Sequence, residues 1–76
     1  MLTRPEQKMP GFVRDALETE GVMEAYDARP PYQRNDYLGW INRAKRGETK
    51  EKRLRKMIDE LRRGDTYMGM KWSGKS

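Results

Sequence analysis

The chain contains no cysteine and no histidine among its 76 residues. Without cysteine there can be no disulfide and no thiolate metal site. Without histidine, the usual zinc ligand and the usual general base near neutral pH are gone as well. No run of about 18 apolar residues occurs, so no segment reads as a membrane span. Met1 to Pro10 hold no apolar stretch that could serve as a signal-peptide core. These absences point to a soluble, cytoplasmic chain, since a cysteine-free sequence suits a reducing compartment. They leave no catalytic residue, no cofactor and no metal ligand to nominate, and an enzyme is not expected.

What remains is short and highly charged. At this length there is one domain at most, with little apolar surface to bury. Stability has to come from an apolar core, alone or with the help of self-association. The formal net charge is +5 but is placed unevenly. Residues 1–42 carry five Lys/Arg against seven Asp/Glu, residues 43–63 ten against four, and residues 64–76 two against one. The front is mildly acidic and the back basic. Such asymmetry hints at an anionic partner, although ordinary solvated helices carry it too.

The hydrophobic pattern predicts an all-α fold, a compact bundle of about four short helices. Residues 1–9 are polar and aperiodic and read as a flexible arm. Residues 10–64 form the helical domain, and residues 65–76 an apolar and basic tail. Phe12, Val13, Ala16 and Leu17 recur on one helix face, with Pro10 suited to the first turn. Gly21 stops that helix. A second, with Val22, Met23 and Tyr26 inward, ends before Pro30-Pro31. Pro31 opens a third that runs to about Lys45, striped by Tyr37, Leu38, Ile41 and Ala44 with Trp40 flanking. Gly39 within it makes a close helix–helix approach plausible. Thr49 is a good N-cap for the fourth helix, whose Leu54, Met57, Ile58 and Leu61 form the cleanest stripe. Arg62 and Arg63 suit its last turn, and Gly64 its C-terminal stop. The tail holds Tyr67, Met68, Met70 and Trp72, and is either a flap docked on the bundle or a segment ordered only by a partner.

Several of these residues carry a resemblance. They are Pro10-Gly11-Phe12-Val13 with Ala16-Leu17, Tyr26 ahead of Pro30-Pro31, and Tyr37-Leu38-Gly39-Trp40-Ile41. To these are added Ala44-Lys45, Glu48-Thr49-Lys50 and the basic helix 50–63 with Arg53. The stretch Pro10 to Gly64 resembles the small C-terminal domain of the bacterial YdeI/OmpD-associated proteins, often labelled bacteriocin-protection proteins. Arg29 departs from the apolar residue that this family usually places before its prolines. The resemblance implies a bacterial helical domain linked to bacteriocin or envelope-stress resistance, and it names no mechanism or catalytic residue.

Four motifs have plainer explanations. Gly69 followed by Gly74-Lys75-Ser76 matches the phosphate-loop pattern, but that loop needs a strand before it and a helix after it, and the chain stops at the serine. It reads as coincidence. The cations from Arg43 to Arg63 could track phosphates or anionic lipid, or simply solvate a helix, with Asp59 and Glu60 interrupting them. Glu48 and Glu51 are placed to pair with Lys52 and Arg55. Tyr26, Tyr32, Tyr37 and Trp40 are more readily core than a stacking platform. Glu18, Glu20, Glu24 and Asp27 read as solvated charge.

The candidates for contact with a partner or an anion are Lys52, Arg55, Lys56, Arg62, Arg63, Tyr67 and Trp72. The leading expectation is an interaction module that binds a protein partner, or its own copy, through the tail and the edge of helix 4. The alternative is a nucleic-acid-binding protein using the same basic helix.

Overall fold

The computed structural model describes residues 6–72. Four helices follow in the expected order: α1 (Gly11–Thr19), α2 (Met23–Asp27), α3 (Pro31–Arg43) and α4 (Gly47–Arg63). Two short strands complete the chain, β1 (Thr66–Tyr67) and β2 (Met70–Lys71).

The prolines explain two of the helix starts. Pro10 and Pro30 stand just before α1 and α3 in extended backbone, and their carbonyls accept the first helical amides, those of Val13 and Arg14 and of Gln33 and Arg34. Pro31 takes the first helical position of α3, where a missing N–H costs no hydrogen bond. α4 begins earlier than its threonine suggests. Arg46 is the N-cap residue, no side chain caps it, and Thr49 already lies within the helix. α3 stops at Arg43, because Ala44 turns to extended backbone. Gly64 ends α4 in the left-handed region at φ 78°, donating its N–H to the Glu60 carbonyl at 2.9 Å.

All four helices feed one core: Val13 and Leu17, Val22 and Tyr26, Tyr37, Leu38 and Ile41, then Leu54, Met57, Ile58 and Leu61. The α4 stripe is the one the sequence displays. Phe12 is different. It is 38% exposed, because α1 turns Val13 and Leu17 inward and leaves Phe12 on its flank. The close approach expected at Gly39 is real, but the neighbour is not another helix. A methyl at Gly39 would meet Gln7 at 3.4 Å and Arg43 at 3.3 Å. Residues 6–9 thus lie along α3: the Gln7 amide donates to Asn35 Oδ1 at 2.7 Å, and Met9 packs on the core.

Of the two expectations for the tail, docking is the one observed. Residues 66–71 form a hairpin with Thr66 opposite Lys71 and Tyr67 opposite Met70. Its turn residues, Met68 and Gly69, both have positive φ, 52° and 81°, as a two-residue hairpin turn of the primed type requires. Tyr67 packs edge-on against Tyr32 and Tyr37, with ring centroids 5.9 and 5.5 Å apart. Those rings belong to α3; β1 also lies against α4 and there completes the wall of a groove.

Candidate binding face

Two glutamates organise the polar surface of α4 and its surroundings. Glu60 lies on α4 beside the apolar stripe, three residues after Met57, and the hairpin closes over it so that it is 3% exposed. Its Oε1 accepts the Tyr37 hydroxyl at 2.5 Å and the Met68 amide at 2.8 Å, and its Oε2 accepts the Gly69 amide at 2.7 Å. A buried carboxylate has to be hydrogen-bonded, and here both turn amides and a phenol do it. Among the described residues no cation forms an ion pair with it.

The buried cation beside this network serves the backbone instead. Arg29 is 4% exposed; its Nη2 donates to the Glu60 carbonyl at 2.9 Å and its Nη1 to Gln33 Oε1 at 3.1 Å. Its guanidinium stacks between the rings of Trp72, 4.5 Å away, and Tyr37, 6.0 Å away. Burial, reinforced by the hydrogen bond to Glu60, raises the Tyr37 hydroxyl well above the usual tyrosine range. The phenol therefore stays protonated and keeps donating. Tyr37, Glu60, Arg29 and Gln33 together hold the turn and the end of the hairpin onto the helices.

Glu20, just past α1, is satisfied in the opposite way. Its two oxygens take Arg62 Nη2 and Arg55 Nη1, the latter at 3.2 Å. Those hydrogen bonds, Arg62 first and Arg55 second, hold its carboxyl below the usual carboxylate range. The pairs expected from Glu48 and Glu51 do not capture Arg55; it turns to Glu20, and Glu48 stands 4.0 Å from Arg46.

This division sorts the candidate contact residues. Arg55 and Arg62 are tied to Glu20. Lys52, Lys56 and Arg63 are exposed and form no ion pair among the described residues. With Asp59, Glu60, Thr66 and Gly69, and with the Glu20-paired Arg55, they line an open groove between α4 and the hairpin. Tyr67 is half-buried, its hydroxyl donating to Asp36, and Trp72 is half-buried over Arg29. Both hold the hairpin in place. Met70, by contrast, is 60% exposed.

The other motifs fall apart in space. Tyr26 and Tyr37 are core residues; Trp40 carries Arg53 over its ring at 5.3 Å; Tyr32 is half exposed beside the hairpin. They make no single platform. Gly69, the first glycine of the phosphate-loop pattern, sits in the turn of an antiparallel hairpin, while Gly74, Lys75 and Ser76 lie outside the described residues. Glu18, Glu24 and Asp27 are exposed, and among the described residues Glu20 alone of that acidic group is engaged by arginines.

Sequence reasoning overlooked Arg29, Gln33 and Glu60. Glu60 reads as an interruption of a solvated face, since nothing local announces that a hairpin will cover it. For Arg29 a signal did exist. An arginine where the resembled family places an apolar residue occupies a buried position, and a buried arginine needs acceptors and aromatic faces.

No helix among the described residues is long and apolar enough to cross a membrane. No curated protein and no solved structure matches the chain. Residues 6–64 match a family described as bacteriocin-protection, YdeI or OmpD-associated. The match takes in all four helices and ends at Gly64, so it contains Arg29, Gln33, Tyr37 and Glu60, the helical residues that hold the hairpin, but not the hairpin itself. The chain belongs to the bacteriocin-protection, YdeI or OmpD-associated family.

Proposed function

We propose that this chain is a cytoplasmic interaction module that acts by binding a protein partner on the face shared by α4 and the hairpin, with no chemistry of its own. One observation carries the reading. Two cations of α4, Arg55 and Arg62, are tied to Glu20, while Lys52, Lys56 and Arg63, beside a groove that Arg55 also lines, form no ion pair among the described residues. Unpaired like charges along a helix repel one another and are destabilising by a few tenths of a kcal/mol per pair. A partner of opposite charge relieves that repulsion and gains attraction as well. The exposed Met70, next in the chain to the groove-lining Gly69, offers an apolar contact on the hairpin. Protection against bacteriocins, the role in the family's description, would then be exercised through the captured partner.

Nucleic acid is the second reading, favoured by the same cations. Asp59, exposed in the middle of the groove, weighs against it, because a phosphate backbone is charged at every step.

The test is site-specific photo-crosslinking in bacterial cells, with the reactive residue placed at Lys56 or, as a control, at Asp15 on α1. The reading expects discrete protein adducts at position 56 and few at 15. Adducts of equal yield at both positions, or nucleic acid as the main adduct at 56, would overturn it.

A further inference from the structure

The groove has two walls of different chemistry, and together they specify more than a charge. One wall is α4. At 1.5 Å per residue, Lys52 and Lys56 lie one turn apart and Arg63 about 16 Å from Lys52 along the axis, with Asp59 between them. The other wall is the outer edge of β1. A two-residue turn makes Tyr67 and Met70 the hydrogen-bonded pair, and the next bonded pair is Asp65 with Trp72, whose amide donates to the Asp65 carbonyl at 3.0 Å. The alternation of an antiparallel ladder then turns the amide and carbonyl of Thr66 away from β2. Thr66 lines the groove, and among the described residues neither of those peptide groups has a hydrogen-bond partner.

We propose that the groove receives an extended acidic segment of a partner protein, with its main chain alongside Thr66 and its carboxylates toward both ends. This deepens the preceding proposal and rests on it. Charge complementarity sets the pattern: acidic groups against Lys52 and Lys56 at one end and Arg63 at the other, with no acidic group opposite Asp59. An extended chain advances about 3.3 Å per residue, so about five residues separate the two acidic ends. A peptide can leave its middle neutral or basic, whereas a nucleic-acid strand cannot. The free edge of β1 supplies the main-chain donor and acceptor by which extended segments add to a sheet.

The test uses the full chain and three fluorescent probes. The first is a peptide with a Glu-Asp pair at each end of a Ser/Thr/Val spacer of about five residues. The second is its Gln-Asn counterpart, and the third an oligothymidylate of equal charge. The acidic peptide is expected to bind in the micromolar range, and its amide counterpart about tenfold more weakly or worse, since several exposed charge pairs act together. K52E/K56E/R63E should lose the acidic peptide to a similar degree, and K56A in part, with far-ultraviolet circular dichroism unchanged in both. The Thr66 amide should shift in the nuclear magnetic resonance spectrum and exchange more slowly on binding. Equal binding of the acidic and amide peptides, tighter binding of the oligothymidylate, or an unmoved Thr66 amide in a saturated complex would each overturn the proposal. If crosslinks at Lys56 persist while no acidic peptide binds, this inference falls and the interaction module stands.

Discussion

Glu20 lies against α4 and Glu60 is part of it, and the two carboxylates are satisfied in different ways. Glu20 is partly exposed and is satisfied by two arginines of α4. Glu60 is buried and is satisfied by a phenol and two turn amides. The consequence reaches beyond either carboxylate. Where the acid recruits cations, those cations become structural. Where it recruits neutral donors, the neighbouring cations Lys52, Lys56 and Arg63 remain available. A buried carboxylate bonded by amides also fixes the position of those amides, so Glu60 sets both the charge of the groove and the place of its second wall.

The strongest way to break this comparison is Glu60→Ala. It leaves the Met68 and Gly69 amides and the Tyr37 hydroxyl without their acceptor, and should cost about 2–4 kcal/mol in urea unfolding. A loss below about 1 kcal/mol would mean that Glu60 does not hold the hairpin. Next comes Arg29→Ala, expected to cost about 2 kcal/mol through two lost hydrogen bonds and the contact with Trp72. Arg29→Lys should not restore it, because an ammonium cannot make the same planar fork.

Alkaline pH sharpens the contrast. The Tyr37 hydroxyl titrates higher in the folded protein than in the unfolded chain. Its contribution is therefore complete below the unfolded value of about 10 and is lost as pH rises beyond it toward the folded value. Stability should fall above about pH 10, with a shallower fall in Tyr37→Phe, measured by thermal unfolding across pH. The smallest effect is at the turn. Met68 sits at φ 52°, a region that asparagine tolerates better, but its side chain packs on the core, so in Met68→Asn strain relief and lost packing should offset each other to within about 0.5 kcal/mol in urea unfolding.

Much of the helical body was legible because its cause is local. Leu54, Met57, Ile58 and Leu61 repeat at helical spacing, and Pro31 and Gly64 start and stop their helices by backbone chemistry alone. The beginning of α4 was not legible from Thr49, because the helix starts on Gly47 with no side-chain cap to mark it. Phe12 misled because an apolar residue on a short amphipathic helix can sit at the edge of its stripe. The groove was legible only in half. Lys52, Lys56 and Arg63 stood out as charge, but their separation from Arg55 and Arg62 depends on Glu20, 35 and 42 residues away along the chain. The hairpin's docking depends on Arg29 and Tyr37, equally remote from it, and no periodicity reveals such partners.

Urea unfolding of two charge-reversal variants, R55E/R62E and K52E/R63E, separates the structural cations of α4 from the available ones. R55E/R62E, whose new carboxylates face Glu20, is expected to show a lower midpoint, and K52E/R63E a clearly smaller loss, because relief of the Lys52–Lys56 repulsion is set against a carboxylate in the last turn four residues after Asp59. Equal losses in the two variants, or a larger loss in K52E/R63E, would contradict that separation.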